Sequence, residues 1–434
     1  MAEPNALTLT RRELSIILLI AGIQLVNIVD FMMVMPLGPD FSKSLDIPVS
    51  KLGIIGGSYT AAASIAGLLG SLFLDRFDRK KALLVAMAGL TLGTFMGSQA
   101  RGFGSLVLAR VIAGAFGGPA TSLSYSIIAD VVPPQRRGRA MGIVMVAFGV
   151  ASVFGVPLGL ELAYRFDWRA PFIALAAVSM GVSVVVSVML PPMTEHLGAG
   201  HGGAIAHLRG LVRLDVLTSY AMTFCLMLGS FILIPNISSF VLYNLRYPRE
   251  HLGLLYAAGG GVSILATPFI GRLVDKLGSA RVGSFGSLAM ATVIFVGFAR
   301  FPPLISPLPM FVLFMLSSSL RNVSCNTLTT KVPYPDERAS FASVQSAVQH
   351  MAAACGAFSA SRILSETPAH ELVGIDTVAM ISIFISFALP PLLFTIERRI
   401  RRRDTAKPPH VVSVESASLA SGSSARPPHE APKA

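Results

Sequence analysis

Charge is scarce in this chain. Only 13% of its 434 residues are Asp, Glu, Lys or Arg, and 53% are hydrophobic, whereas soluble domains carry about a quarter charged residues. So few charges cannot cover a water-facing exterior, which excludes the two or three soluble domains that length alone suggests. Cysteine is scarcer still. Cys225, Cys325 and Cys355 lie far apart in apolar stretches, without metal-ligand spacing or a disulfide framework, and read as small buried side chains. No G-x-x-x-x-G-K-[ST] loop is present to hold a nucleotide, and no H-E-x-x-H or G-x-S-x-G pattern marks a hydrolytic centre. Neither an enzyme nor a cofactor or metal site is expected.

What the chain does have is apolar runs of roughly 20 residues, the length a helix needs to cross a ~30 Å hydrocarbon layer. Twelve segments are predicted: 14–36, 52–74, 82–100, 104–129, 140–164, 171–190, 215–240, 251–271, 282–300, 307–329, 339–363 and 373–396. The first run continues from Leu14 to Pro36 without an A-x-A-like end, so it reads as a membrane helix and not as a cleaved signal. Glycines in the fourth segment (Gly114, Gly117, Gly118) and the eighth (Gly259 to Gly261) would let backbones approach closely.

The net charge of +12 does not point to nucleic acid, because the basic residues alternate between loops and form no single patch. Of the 35 Lys and Arg residues, 24 fall in the two ends and every second loop, and nine in the other loops. That bias places both termini in the cytoplasm and requires an even number of helices.

The chain also repeats at an offset of about 200. Pro36 matches Pro235, Leu52-Gly53 matches Leu252-Gly253, Asp75 matches Asp275, and Pro133 matches Pro333. Parallel repeats of this kind place a solute site where two halves meet near the membrane midplane. The expected fold is all-α: two pseudo-symmetric six-helix bundles, residues 1–190 and 214–397, joined by a cytoplasmic loop over 191–213. The tail from 398 to 434 opens on Arg398, Arg399, Arg401, Arg402 and Arg403, a cluster suited to anionic lipid, and then turns Ser-, Ala- and Pro-rich, a composition expected to be disordered.

The loop after the second segment reads Ser71-Leu72-Phe73-Leu74-Asp75-Arg76-Phe77-Asp78-Arg79-Lys80-Lys81. It resembles the G-x-L-a-D-R-x-G-R-[KR]-[KR] signature of the major facilitator superfamily, with Ser71 and Asp78 in place of the two glycines. The second half carries a degenerate copy, Gly271-Arg272-Leu273-Val274-Asp275-Lys276-Leu277-Gly278, that keeps both. Leu106-x-x-x-Arg110-x-x-x-Gly114, the stretch from Asp130 through Pro133-Pro134 to Gly142, and Phe166-Asp167-Trp168-Arg169-Ala170-Pro171-Phe172 are similar to the same family. Within it the chain looks closest to the twelve-helix drug-efflux and arabinose-efflux-like group. In the fifth segment, Gly149, Gly155, Pro157 and Gly159 match the antiporter motif only in part, since Val156 separates Gly155 from Pro157. The resemblance implies a monomeric transporter in the cell (inner) membrane that alternates access for a small molecule. It further implies a gate in which Asp75, Arg79 and Asp130 pair in one state. The bland alternative is that Arg76, Arg79, Lys80 and Lys81 only signal topology.

Charges inside apolar segments are costly unless paired or in a wet cavity. Three stand out: Asp30, Arg110 and Arg321. Asp30 and Arg110 each lie six residues inside an outer helix end, roughly 9 Å below the outer face. The resemblance places their helices on the central cavity. Three readings stand: Asp30 as the acid that carries a proton or cation with Arg110 tuning it, a permanent structural pair, or simple exposure at the outer mouth. Arg321 sits deeper among hydroxyls and amides, with Asn322 and Asn326 beside it and Gln345, Gln349 and His350 on the next segment. This set suits a carboxylate or phosphate on a solute; otherwise Arg321 hydrogen-bonds carbonyls of the eleventh segment or closes an inner gate. His350 is either a group titrating near neutral pH or a hydrogen-bonded structural one. The leading expectation is proton-coupled efflux of a small organic solute. Symport of a small organic anion, and a non-transporting membrane sensor, are the alternatives.

Overall fold

The first helix is set by its cap. Thr10 Oγ1 accepts from the Glu13 backbone N–H at 3.2 Å, and the Glu13 carboxylate accepts from the Thr10 N–H at 2.7 Å. Two of the donors that any helix start leaves without partners are thereby satisfied. The computed structural model describes residues 9–133, 136–194, 212–300, 302–334 and 338–406. Over these the chain forms twelve helices of membrane length. The first half holds α1 (Arg11–Val34), α2 (Leu52–Phe73), α3 (Arg79–Ser98), α4 (Phe103–Val131), α5 (Arg137–Arg165) and α6 (Ala170–Met189). The second holds α7 (Leu214–Asn244), α8 (Arg249–Leu277), α9 (Ser279–Ala299), α10 (Pro307–Thr329), α11 (Arg338–Ile363) and α12 (Ile375–Ala406).

Eleven of them are long and apolar enough to cross a membrane. The twelfth, α11, is long enough at 26 residues but carries Gln345, Gln349 and His350, and it packs against α2 and α7. The result is the all-α membrane fold expected from the repeat, with α1–α6 and α7–α12 as its two bundles.

Backbone proximity within the first bundle depends on α4. A Cβ at Gly114 would strike the Tyr59 carbonyl oxygen, and one at Gly118 the Ala63 carbonyl oxygen. Helix α5 carries a π turn over Ala151–Gly155 directly before Pro157. A proline ring clashes with the carbonyl four residues back in a regular helix, and a wider turn there relieves the clash. The partial antiporter-like motif is thus a local widening of a helix that faces the other half.

The two bundles meet α2 against α11 and α5 against α8. A Cβ at Gly53 would lie 2.6 Å from the Ala357 carbonyl oxygen, and Ser64 Oγ donates to the Ala347 carbonyl at 2.9 Å. Across α5 and α8, a Cβ at Gly260 would lie 3.0 Å from the Ser152 carbonyl oxygen. Call the end carrying Arg11 and Ala406 proximal and the opposite end distal. The distal end is closed by straps. Asp40, on a short helix Gly38–Leu45, takes two hydrogen bonds from Arg249, at 3.1 and 2.7 Å. A two-stranded antiparallel hairpin, β1 (Ser365–Glu366) and β2 (Leu372–Val373), pairs Ser365 with Val373 and Glu366 with Leu372. Its Glu366 carboxylate accepts the Val49 N–H from the other half. Asn244 binds both backbone groups of Leu372, at 2.9 Å each, which ties the end of α7 to the same hairpin.

Two boundaries differ from expectation by more than about one helical turn. Helix α8 runs on to Leu277, so most of the second-half motif copy is helical and only Gly278, at φ 91°, turns the chain. Helix α12 runs to Ala406, so residues 398–406 are helix and not the start of a disordered tail. Basic side chains favour a helix C-terminus, and here they also bind: Arg401 pairs with Glu397 at 2.6 Å, and Arg403 donates to the Lys331 and Val332 carbonyls. The remaining tail, 407–434, and most of the expected joint, 195–211, lie outside the described residues.

Candidate functional site

Asp30 and Arg110 meet inside the first bundle. Both side chains are fully buried, 0% exposed. Arg110 Nη2 donates to Asp30 Oδ2 at 2.9 Å, and Nη1 donates to Oδ1 at 3.2 Å. The same Nη2 reaches the Asp30 backbone carbonyl at 3.1 Å, and Thr94 Oγ1 of α3 donates to Oδ1 at 2.7 Å. Tyr59 of α2 presents its ring face 4.7 Å from the guanidinium carbon, a stacking that a planar cation favours. Four helices thus converge on one ion pair, three of them on its carboxylate.

The polar contacts continue toward the proximal end. Tyr59 donates its hydroxyl to Asn27 Oδ1 at 2.6 Å, and Asn27 Nδ2 donates to the Gly117 carbonyl at 2.9 Å and to Thr121 Oγ1 at 2.7 Å. Thr121 in turn donates to Gln24 Oε1 at 3.4 Å. Residues 24, 27 and 30 follow the i, i+3 spacing of one helix face. Removing one partner of a buried, hydrogen-bonded ion pair costs about 3–5 kcal/mol, so the pair also holds α1 against α4. On its other side Phe31 stacks on Tyr59, with ring centroids 5.5 Å apart, and on Phe231 of α7, at 5.8 Å. A change at Asp30 is therefore one residue from the contact between the halves.

Sequence reasoning identified the two charges but missed Tyr59, Thr94, Asn27, Gln24 and Thr121. The regular spacing of Gln24 and Asn27 ahead of Asp30 was the available signal.

The residues grouped around Arg321 do not come together. Arg321 is fully buried and points into its own bundle: Gly229 of α7 and Gly286 of α9 lie against its side chain. Asn322 folds back onto its own helix, donating to the Ser318 carbonyl at 2.9 Å, and Asn326 is exposed. Gln345 donates to Thr223 Oγ1 of α7. His350 Nδ1 is 2.8 Å from the Ser346 carbonyl, one turn back on α11, and Gln349 is half-buried beside it. Successive residues of α10 point about 100° apart, which separates Arg321 from Asn322 and Asn326.

At the proximal end Arg79 is buried, and its Nε lies 2.7 Å from Asp130 Oδ2. The Asp75 side chain lies outside the described residues; its backbone is in a short 3-10 turn, Leu74–Arg76. A further ion pair at this end, Arg136 to Glu13 at 3.0 Å, links the start of α5 to the start of α1. It was not expected from the sequence.

Known proteins share this architecture. A bacterial homolog of the human lysosomal transporter Spinster, solved inward-facing and unoccupied, superposes with a TM-score of 0.70 at 16% identity over 91% of this chain and 99% of that one. A D-xylose–proton symporter gives the same TM-score at 17% identity over 87% and 97%. In sequence, an uncharacterized transporter of Bacillus subtilis is 30% identical over 35% of this chain and 39% of its own length. A probable sugar efflux transporter of Helicobacter pylori is 23% identical over 59% and 63%, and a chloramphenicol efflux pump of Mycobacterium tuberculosis 24% identical over 58% and 62%. The matched regions thus span from 39% to 63% of the lengths of these relatives. The profile of the Major Facilitator Superfamily matches residues 20–357 and again 219–428. With both halves matched and the twelve-helix architecture in place, the chain belongs to the Major Facilitator Superfamily of membrane transporters.

Proposed function

We propose that this protein exports a small organic solute across the cell membrane in exchange for protons, with its proximal end and both termini in the cytoplasm. The observation that carries the reading is the buried Asp30–Arg110 pair, whose carboxylate is shared by α1, α3 and α4. A proton on Asp30 would replace the guanidinium as the partner of the carboxylate. Arg110 would keep the Asp30 carbonyl and the Tyr59 ring, so the exchange loosens α1 from α4 without leaving a bare cation. Phe31 passes that loosening to Phe231 on the other half. Efflux in preference to uptake is supported by the sugar and chloramphenicol efflux relatives, and the orientation by the excess of Lys and Arg in proximal loops. Half-buried Gln349 and His350 are assigned to the solute, and Arg79 with Asp130 and Asp75 to a proximal gate that pairs in one state and separates in the other.

The test is flux in proteoliposomes under an imposed pH gradient. Asp30→Asn should abolish gradient-driven transport while solute exchange without a gradient is retained in a protein that still folds, with a thermal midpoint lowered by the loss of the buried pair. Gradient-driven transport surviving in a folded Asp30→Asn protein would overturn the assignment.

A further inference from the structure

Among the described residues, two fully buried arginines face into their own bundles, and Arg110 alone of the two has an acid. Pro36 and Pro235 register the repeat, and through them Asp30 of α1 and Gly229 of α7 occupy the same point, each six residues before its proline. Arg321 leaves α10 about two turns further from the distal end than Arg110 leaves α4. Its Nη2 nevertheless lies 3.8 Å from where a Cβ of Gly229 would stand. The first half puts a carboxylate against its arginine at this point of the repeat. The second half puts a hydrogen atom there.

Among the described residues nothing compensates. Nε, Nη1 and Nη2 of Arg321 are all buried without a hydrogen-bond partner, and among the described residues no acidic side chain pairs with it. The titratable groups close enough to act on it are the thiols of Cys225 and Cys325. Two buried hydroxyls also lack partners: Ser324, one turn along α10 from Arg321, and Ser386, next to the Ile385 that packs on Gly229. Ser382 is already committed to the Gly229 carbonyl. A guanidinium offers a planar fork of donors and each hydroxyl one donor beside its acceptor lone pairs, so the set is rich in donors and holds no anionic acceptor for the cation. Such a set fits a small anion.

We propose that Arg321 binds a monovalent anion of chloride or carboxylate size inside the second bundle, at the place where Gly229 replaces the acid of the first. The site stands apart from the direction and coupling of transport. The ion is either a free inorganic anion held as part of the fold or the carboxylate group of a solute.

Thermal unfolding of the purified full-length protein tests it, with chloride, nitrate, formate, acetate and longer monocarboxylates each titrated at constant ionic strength against sodium HEPES. A ligand that binds only the folded state raises the midpoint saturably. The expected result is a rise of several degrees for the wild-type chain that is lost in Arg321→Met. A second variant supplies the acid in cis: Gly229→Asp combined with Ile385→Ala, which removes the methyl 3.1 Å from the new Cβ. It should unfold at a higher midpoint in HEPES and no longer respond to anions. A rise confined to chloride, nitrate and formate identifies a resident ion, whereas one that grows with carboxylate chain length identifies a solute group. Equal anion responses in wild type and Arg321→Met, no response in the wild type, or a full response in the Gly229→Asp variant would each overturn the proposal.

Discussion

Positions 78 and 278 stand at one point of the repeat and solve one problem in two ways. Each begins a helix whose first N–H groups need acceptors. Asp78 has an ordinary φ of −54° and supplies its own acceptor, taking the Lys80 N–H at 2.9 Å and the Met193 N–H at 3.1 Å. Gly278 has φ 91° and ψ 149°, a conformation nearly exclusive to glycine, and its helix is capped from a distance by Glu397, which accepts the Ala280 N–H at 2.6 Å. A Cβ at 278 would also lie 2.8 Å from Glu397 Oε1. The departure of Asp78 from the family glycine is thus a substitution of one cap for another. Asp78→Ala should cost about 1 kcal/mol, the usual loss for an N-cap. Gly278→Ala should cost more, about 1–3 kcal/mol of backbone strain with the displaced cap added. Thermal midpoints of the two purified variants check the order; a Gly278→Ala protein as stable as wild type would refute the account.

At the scale of elements, the contact between α2 and α11 depends on what can yield. A side chain at Gly53 meets the Ala357 backbone carbonyl, which cannot move independently of its helix, whereas one at Gly57 meets the Phe358 ring at 2.7 Å, which can swing. Gly53→Val should therefore hold the distal ends of α2 and α11 apart, and Gly57→Ala should be tolerated. Distances between spin labels at exposed Lys51 and Arg362, in a background with the native cysteines replaced, report this directly; an unchanged distance in Gly53→Val rules the idea out. The existence of both helices was legible from run length, and so were the other ten. Helix ends were less so where tertiary partners decide them: beside the local Arg401–Glu397 pair, Arg403 at the basic end of α12 is held by the Lys331 and Val332 carbonyls, which are far from it in sequence. The site divided along the same line. Asp30 and Arg110 were legible because a charge in an apolar run needs a partner. Tyr59 and Thr94 were not, since uncharged polar residues are tolerated widely in membrane helices, and the inward aim of Arg321 depends on which face of α10 meets α7 and α9.

At the scale of the molecule, the proposed alternation of access would require the closed distal end to open, and the straps would resist it. Asp40 and Arg249 bridge the halves through two hydrogen bonds, with side chains 21% and 20% exposed. That places the pair between surface ion pairs, worth about 0–1 kcal/mol, and buried ones, where losing one partner costs about 3–5 kcal/mol. A value of roughly 1–2 kcal/mol corresponds to a factor of about 5–30 in the ratio of closed to open molecules. Because the contact exists only with the distal end closed, its loss acts on that equilibrium and not on the stability of either bundle. Asp40→Asn should shift label distances across the distal mouth toward the open form while leaving the unfolding midpoint nearly unchanged. The exchange Asp40→Arg with Arg249→Asp should restore part of the closed population, because the charges again attract although the fork is reversed. The Glu366 bond to the Val49 N–H persists in both variants, so the shift should be partial, with Glu366→Gln adding to it. If Asp40→Asn lowers the unfolding midpoint by several degrees and leaves the distances unchanged, the bridge serves folding alone, and the barrier to opening lies elsewhere along α2 and α11.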